Sequence, residues 1–325
     1  MINIATIGSN FIVHQFLTAC KQVEGINVLG VYSRTANVGQ ALAEEYGVNL
    51  VYTNLEDLAK NEDIDAVYVA SPNALHKEQS ILMMSHGKHV LCEKPIASHV
   101  KEFEEMVSVA ATHGVVLMEA MKSVHCPGFI AVKENLYKLG MIRQVAFNFS
   151  QYSSRYDKFK QGIVENAFKP ELSNGALMDI GVYPIHMMLE LFGMPKNIHA
   201  SGVKLSNGVD GSGSIICAYE DFIATLIYSK IATFEGNVIQ GEDATMEIDK
   251  ISDISQITIK YRDGRCETVE VTKEMTMIYE IQTFSHAIKS GKMNQLLDTS
   301  RMQMSVLDIA REQIGIVFPA DVDTV

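Results

Sequence analysis

The first 120 residues alternate short apolar runs with longer helical patterns, and this alternation restricts the fold more than any other feature of the chain. The apolar runs are four to six residues long and occupy residues 2–7, 27–32, 66–70, 89–92 and 115–118. Helical patterns separate them at residues 11–23, 38–46, 75–86 and 100–113. Strands that are apolar on both faces are typical of parallel sheets covered by helices, and strand–helix units of ~30 residues are typical of doubly wound sheets. Residues 1–120 are therefore predicted to form an α/β domain around a doubly wound parallel sheet.

Beyond residue 121 the candidate strands follow one another with hairpin-like connections. Eight of them lie at residues 142–152, 198–205, 214–219, 222–230, 237–240, 245–249, 256–261 and 266–271. Helical patterns interrupt them at residues 126–139, 176–191, 275–290 and 300–317, the last with Ser300 and Gln303 at capping-box spacing. Polar and apolar residues alternate in several strands, so one sheet face is expected to meet water or a partner. We predict an α+β domain over residues 121–325 with a large, open, mostly antiparallel sheet, whose C-terminal helix packs back on the first domain.

Charge and composition exclude several classes of protein. The chain carries 27 Lys and Arg against 39 Asp and Glu, a formal net charge of −12, so it lacks the basic surface of a general nucleic-acid binder. It has no run of 18 apolar residues, and its N-terminus enters an apolar strand without the basic segment of a signal peptide. The five cysteines are scattered and odd in number, which favours reduced thiols. We expect a cytoplasmic protein without nucleic-acid or membrane partners.

The turn after the first strand is a candidate phosphate-binding site with an unusual composition. A dinucleotide-binding (Rossmann) turn uses three glycines, whereas Asn10 and Val13 stand here in the second and third places. Asn10 tolerates a positive φ better than most residues, and backbone N–H groups at a helix N-terminus can hold a phosphate without the missing glycines. The alternative is an ordinary strand–helix turn. The candidate cofactor-binding residues of this turn are Gly8, Ser9, Asn10, Phe11 and Ile12.

Two further strand ends carry candidate cofactor contacts. Ser33 and Arg34 follow the second strand where an NAD-binding fold places an acid, and the Arg34 guanidinium suits a 2′-phosphate, so NADP is favoured over NAD. The alternative is a surface arginine. Ser71, Pro72 and Asn73 follow the strand at residues 66–70, at the edge where ligands of open α/β sheets bind. For Asn73 the alternative is a helix cap.

Two longer segments make the pattern specific. Residues 87–95 end in Cys92-Glu93-Lys94-Pro95, and residues 175–186 read Gly-Ala-Leu-Met-Asp-Ile-Gly-Val-Tyr-Pro-Ile-His. Together with the Ser-Pro-Asn-Ala-Leu-His run at residues 71–76, they resemble the glucose-fructose oxidoreductase / inositol dehydrogenase / MocA (Gfo/Idh/MocA) family over essentially the whole chain. The tyrosine at position 183, where many members have histidine, resembles the dihydrodiol and xylose dehydrogenase-like branch. The glycine-poor first turn departs from the family pattern.

The resemblance implies roles for single residues. Lys94 matches the family lysine that lies between the nicotinamide and the substrate, and Asp179 and Tyr183 match the acid and the proton-exchanging residue. His186 is expected to bind a substrate hydroxyl. The candidate cofactor-binding residues at the three strand ends are therefore supplemented by His76, Glu93 and Lys94.

Elementary chemistry agrees with these roles. An ammonium stabilises a nearby phenolate by Coulomb attraction, so Lys94 would help Tyr183 exchange the alcohol proton while the cofactor carries the hydride. On a regular helix Asp179 and Tyr183 are four residues apart and share one face, and His186 is three residues further along that edge.

Other polar residues are weaker candidates. His86, His89 and Cys92 resemble metal ligands by composition, but they straddle a helix end and a strand, so no metal is expected. The irregular segment at residues 153–173, with Lys158, Lys160 and Lys169, is either a lid or solvated surface. His125 and Cys126, with Glu119, either line the cleft or have a structural role.

We therefore expect an NAD(P)-dependent oxidoreductase, with NADP favoured, that acts on a secondary alcohol or ketone of a sugar, polyol or cyclic diol. The alternative is a catalytically inactive NADP(H)-binding sensor or regulatory protein. An apolar second face of the antiparallel sheet would make the protein a homodimer or a larger homo-oligomer.

Overall fold

The computed structural model describes residues 1–291 and 297–322. The chain divides into two compact units: the first contains Met1–Met121 and Met277–Asp298, and the second contains Lys122–Thr276 and Thr299–Val325. In the described part of the chain, no helix is long and apolar enough to cross a bilayer.

The first unit contains a six-stranded parallel sheet. Its strands are β1 (Ile2–Ile7), β2 (Ile26–Tyr32), β3 (Leu50–Tyr52), β4 (Ala66–Val69), β5 (His89–Glu93) and β6 (Leu117–Ala120). Their spatial order is β3-β2-β1-β4-β5-β6, and every neighbouring pair is parallel. The strand order reverses direction between β1 and β4, and the ends of these two strands form the topological switch point of a doubly wound sheet. The predicted α/β fold is confirmed.

Five helices connect these strands. They are α1 (Phe11–Cys20), α2 (Ala36–Tyr46), α3 (Leu55–Lys60), α4 (His76–Ser85) and α5 (Val100–His113). The sequence pattern missed β3 and α3, because three and six residues are too few to display a period. The other elements lie within three residues of their predicted ends.

A helix from late in the chain completes the first unit. Helix α10 (Thr276–Ser290) buries Ile281 and Phe284 completely, and its buried Glu280 is close enough to raise the pKa of Tyr68. That the C-terminal helix packs on the first domain stays a prediction; Thr299–Val325 is grouped with the second unit. The late segment that belongs to the first unit is the preceding helix, α10, which buries its apolar face there.

The second unit is built on an eight-stranded sheet. Its strands are β7 (Ile142–Ser150), β8 (Asn197–Lys204), β9 (Asp210–Ala218), β10 (Ile223–Ser229), β11 (Asn237–Gly241), β12 (Ala244–Ile248), β13 (Gln256–Tyr261) and β14 (Cys266–Glu270). The order is β14-β13-β12-β11-β7-β10-β9-β8, and only the β7–β10 pair of the described residues is parallel. All eight predicted strands and the mostly antiparallel sheet are confirmed.

The helices of this unit differ in detail from the prediction. They are α6 (Lys122–His125), α7 (Pro127–Asn135), α8 (Ser154–Lys160), α9 (Val182–Phe192), α11 (Asp298–Ile314) and α12 (Pro319–Val322). Helix α11 begins before Ser300, so Ser300 and Gln303 lie inside the helix and do not form a capping box. The segment at residues 153–173 is ordered by α8 and two short 3₁₀ turns, so its prediction as irregular is wrong.

Candidate functional site

The turn after β1 lies against the end of β4. Gly8 has a φ of +122°, and a Cβ at this position would lie 2.7 Å from the carbonyl oxygen of Ala70. Asn10 Oδ1 accepts the amides of Ile12 and Val13 at 3.0 and 3.3 Å, and its Nδ2 donates to the Ala70 oxygen at 3.0 Å. The φ of Asn10 is −87°, so the turn makes no use of the tolerance of asparagine for a positive φ. Asn10 instead caps α1, and a phosphate at this terminus would meet amides that precede Ile12.

The end of β2 presents Arg34 to solvent. The amide of Ser33 donates to the carbonyl of Tyr52 at 3.0 Å, and the Thr35 amide donates to Ser33 Oγ at 3.3 Å. These bonds fix the backbone around Arg34, whose side chain is exposed immediately before α2. A helix N-terminus with an adjacent guanidinium attracts a phosphate group. The local structure is therefore suited to a 2′-phosphate.

His76 is a completely buried link between two loops of the first unit. Its Nδ1 lies 2.9 Å from the Pro95 carbonyl oxygen, and its Nε2 lies 2.9 Å from the Ser71 carbonyl oxygen. Burial lowers the pKa of His76. Asn73 starts a 3₁₀ turn and α4 starts at His76, so the alternative in which Asn73 caps that helix is wrong. His76 holds the two loops in place, and its ring nitrogens are directed at the backbone.

The peptide groups around Lys94 are held by buried carboxylates. Glu93 Oε2 accepts the Lys94 amide at 3.2 Å, and Glu93 Oε1 accepts the hydroxyl of the fully buried Tyr68 at 2.5 Å. Glu119, on β6, accepts the Ile96 amide at 3.0 Å. His76 contacts the Pro95 carbonyl oxygen in addition. Together these bonds fix the backbone on both sides of Lys94. Of the two roles considered for Glu119, lining the cleft or supporting the structure, the hydrogen bond from Ile96 shows the second.

The glycines of the segment at residues 175–186 permit close packing in the second unit. Gly175 has a φ of +155°, and a Cβ there would lie 2.3 Å from Asp210 Oδ1. A Cβ at Gly181 would lie 3.0 Å from the Tyr228 ring. Asp210 Oδ2 accepts the Leu177 amide at 2.7 Å, at the start of a π-helical turn over Leu177–Gly181. Such turns are frequent at functional sites. The expected regular helix therefore begins only at Val182.

Asp179 and Tyr183 each have a defined neighbour in this unit. Asp179 Oδ2 forms an ion pair with the Lys230 ammonium; the side chain of Asp179 is 31% exposed and that of Lys230 is 4% exposed. The Tyr183 ring packs edge-on against Phe149 with centroids 5.2 Å apart. Tyr183 lies in the first turn of α9, on the helix that follows the π-helical turn.

His186, the expected substrate ligand, lies one turn further along α9 and is buried. Its Nδ1 lies 2.6 Å from Oε1 of Gln303, a completely buried residue of α11. Burial, followed by the proximity of His186, lowers the pKa of His125 to about 4. His125 is therefore neutral at physiological pH.

The weaker candidates have other partners. His89 Nδ1 accepts the Val116 amide, His86 Nδ1 is paired with the Leu82 carbonyl, and Cys92 donates to the Ile96 carbonyl. Among residues 1–291 and 297–322, no group of three or more His, Cys, Asp or Glu side chains could hold a metal ion.

The lysines of the segment at residues 153–173 lie on its surface. Lys158 and Lys160 form exposed ion pairs with Glu165 and Asp157, and Lys169 is half-buried. Inside the segment, Phe168 packs with Ala167 and Val209 in a small apolar cluster.

Family models match both halves of the chain. Residues 2–121 match "Oxidoreductase family, NAD-binding Rossmann fold", and residues 136–249 match "GFO/IDH/MocA C-terminal domain". This chain belongs to the GFO/IDH/MocA family. The resemblance inferred from the sequence motifs is confirmed, and the chain is an oxidoreductase by family.

Two curated relatives of the family cover nearly the full chain. The scyllo-inositol 2-dehydrogenase (NADP+) of Bacillus subtilis is 47% identical over 326 residues, which cover 99% of each chain. A trans-1,2-dihydrobenzene-1,2-diol dehydrogenase of Xenopus tropicalis is 27% identical and covers 94% of this chain and 96% of its own. Among solved structures, an NADP complex of a 3-ketoreductase from Actinomadura kijaniata has a TM-score of 0.86 at 24% identity, covering 96% of this chain and 98% of its own. That likeness supports the fold.

Sequence reasoning missed several residues that hold the candidate site residues. Tyr68, Asp210, Lys230 and Gln303 lie 25 to 117 positions from the residues that they contact. A single sequence contains no local signal for such pairs.

Proposed function

We propose that this protein is an NADP(H)-dependent oxidoreductase of cyclic polyols that interconverts a secondary alcohol and its ketone. The observation that carries the proposal is the fixed backbone around Lys94: Glu93 binds the amide of Lys94, and His76 and Glu119 bind the two ends of the Pro95–Ile96 peptide group. Buried side chains that immobilise a loop backbone in this way preorganise the catalytic group that the loop carries. A protein that only binds the cofactor has no need of such a lysine.

The residues of the first unit fit NADP(H). Gly8 lets the turn lie directly against the Ala70 carbonyl, which a Cβ would prevent, and Arg34 stands exposed just before α2. We assign the 2′-phosphate to Arg34 and Ser33, and the pyrophosphate to the turn from Gly8 to Phe11, since the Ile12 amide is bound by Asn10. Ser71, Pro72 and Asn73, at the end of β4, are assigned to the nicotinamide half. His76 and Glu93, first expected to touch the cofactor, are assigned to the support of that half.

Tyr183 and Lys94 act on the substrate oxygen: Tyr183 transfers its proton, and Lys94 stabilises its negative charge. Bound NADPH supplies a hydride to the carbonyl carbon, and NADP+ accepts one in the opposite direction. In reduction Tyr183 donates its proton to the oxygen, and the Lys94 ammonium stabilises the negative charge that develops there. In oxidation Tyr183 takes the alcohol proton. Asp179 orients these groups, and His186 binds a second hydroxyl of the substrate.

The names of the relatives suggest the substrate class. One acts on scyllo-inositol and another on a trans-1,2-dihydrodiol of benzene. In both compounds, adjacent carbons of a six-membered carbocycle bear hydroxyls that are trans to each other. We infer that the substrate is a six-membered ring with a trans vicinal diol, in which one hydroxyl is oxidised and the other is bound.

The test is the rate of NADP+ reduction at 340 nm with scyllo-inositol and with the matched pair trans- and cis-1,2-cyclohexanediol. We expect turnover with scyllo-inositol, a higher kcat/KM for the trans diol than for the cis diol, and a preference for NADP+ over NAD+. Tight NADPH binding without turnover on any polyol or ketone in either direction would contradict this function. That result would favour an NADP(H)-binding sensor.

Two further expectations are part of the proposal. The open face of the second unit's sheet carries Ile216 and Ile223, which are 46% and 50% exposed on neighbouring strands. We infer that a second copy covers this face, and sedimentation at micromolar concentration tests it, since a monomer contradicts it.

A cytoplasmic location stays a prediction, supported by the unpaired state of all five cysteines.

A further inference from the structure

Lys230 is a buried cation that the sequence motifs do not include. It follows β10 directly, its side chain is 4% exposed, and its ammonium is paired with Asp179 Oδ2. Its backbone is fixed on both sides: the Lys230 amide donates to Gly211 at 2.8 Å, and its carbonyl accepts the Ser153 amide at 2.9 Å. The lysine therefore reaches Asp179 from a rigid sheet end.

The segment at residues 153–173 supplies the cover over this lysine. The Lys230 ammonium lies 5.1 Å from the centre of the Phe168 ring, which is itself completely buried. Phe168 is held by packing against Val209 and by a 2.6 Å hydrogen bond from Asn207 to its carbonyl. An aromatic face attracts a desolvated cation, so the cover stabilises the charge while it excludes water.

A buried ammonium needs a counter-charge. Removing one partner of such a pair leaves an uncompensated charge in a medium of low dielectric constant. Asp210, on β9, also acts electrostatically on Lys230, but its carboxylate already accepts the Leu177 amide. Asp179 is the carboxylate in direct contact, and its protonation would leave Lys230 without its ion-pair partner.

We propose that Lys230 is a positioning residue for the reaction, a role that rests on the proposed function. It commits Asp179 Oδ2 to an internal ion pair and so fixes the direction of the carboxylate. Asp179 therefore acts as a fixed anion, and Tyr183 alone exchanges the proton. The π-helical turn sets the direction of the Asp179 side chain, and Lys230 locks it.

The test compares Lys230→Met with Asp179→Asn and with the double variant. We expect Lys230→Met to lower kcat by ~10- to 100-fold, the effect of a small misplacement of a catalytic group, with the Kd of NADPH within twofold of wild type. Because Lys230 acts through Asp179, the double variant should be no slower than Asp179→Asn alone. Lys230→Arg, which keeps the charge, should recover most of the lost kcat.

Lys273→Met is the matched control, because Lys273 forms a similar ion pair with Asp253 elsewhere in the same unit. It should lower Tm without changing kcat. If Lys230→Met does not fold, Lys230→Gln, which removes the charge but retains a donor for Asp179, replaces it, with a smaller but still measurable loss of kcat.

Each outcome separates the two proposals. Wild-type kcat in folded Lys230→Met or Lys230→Gln, or a loss that adds in full to that of Asp179→Asn, would overturn the positioning role alone. A wild-type protein that turns over no substrate would instead overturn the proposed function.

Discussion

The hydroxyl of Tyr68, on β4, donates a 2.5 Å hydrogen bond to Glu93, the residue that precedes Lys94 on the neighbouring strand. Tyr68 is completely buried and stacks on Phe16 with ring centroids 3.9 Å apart. Burial, together with the nearby Glu93 carboxylate, raises the pKa of Tyr68 well above 10, so the phenol remains a donor. The strand that carries the lysine is therefore tied to the strand at the topological switch point.

Tyr68→Phe should destabilise the protein by about 1–3 kcal/mol, because it deprives a buried carboxylate of a donor while it keeps the ring packing. Urea unfolding followed by circular dichroism measures this loss. We also expect a lower kcat, because the Glu93 bond to the Lys94 amide loses its support. An unchanged free energy of unfolding would show that Glu93 has no need of this donor.

Tyr183→Phe removes the proposed proton donor and keeps the ring that packs on Phe149. We expect kcat to fall by ~10²- to 10⁴-fold with little change in NADPH affinity. Tyr219→Phe is the matched control, since the Tyr219 hydroxyl donates to the Gly193 carbonyl at 2.7 Å within the second unit. A Tyr183→Phe enzyme that retains wild-type kcat would exclude tyrosine as the proton donor.

Arg34→Ala should weaken NADPH binding much more than NADH binding, because the guanidinium is assigned to the 2′-phosphate that only NADPH carries. Fluorescence titration of both nucleotides measures the two Kd values. Lys60→Ala is the control, because Lys60 is an exposed cation of the same unit that pairs with Glu56 on α3. Equal losses for both nucleotides would place Arg34 away from the 2′-phosphate.

Asp210 should make stability depend on pH. Burial raises its pKa from 3.8 to about 6, against the opposing effects of the Leu177 amide and Lys230. A carboxyl with a raised folded-state pKa contributes stability that is fully present below pH 3.8 and is lost as the pH rises through 6. Relative to Asp210→Asn, the wild type should lose about 2 kcal/mol between pH 4 and pH 7. Denaturant unfolding of both proteins across this range measures it, and parallel curves would contradict it.

Much of the fold was predictable because it depends on local patterns. The short apolar strands and amphipathic helices of the first half, and the eight strands of the second, have periods that a single sequence displays. The predictions failed where tertiary contacts override the pattern. The π-helical turn at Leu177–Gly181 forms where Asp210 and Tyr228 approach the glycines of the motif, and Gln303 binds His186 instead of capping α11.

The candidate site divides in the same way. Lys94, Asp179 and Tyr183 were predicted from motifs that resemble those of the family, and Arg34 was predicted from its position after β2. Tyr68, Glu119 and Lys230 surround them from distant parts of the chain, and only Glu119 was considered at all. A cleft-lining role and a structural role for Glu119 were distinguished only by the hydrogen bond that its carboxylate accepts from the Ile96 amide.

The sequence by itself determined the two kinds of sheet and the family, and it predicted the residues proposed to carry the chemistry, since all of these depend on short-range spacing. Only the tertiary structure decided how those residues are held: which carboxylate oxygen pairs with a buried lysine, and which side chains bind the backbone on either side of Lys94. The reason is physical, because desolvated charges and backbone amides are satisfied by whichever partner the fold brings within hydrogen-bonding distance, however far apart the two lie along the chain.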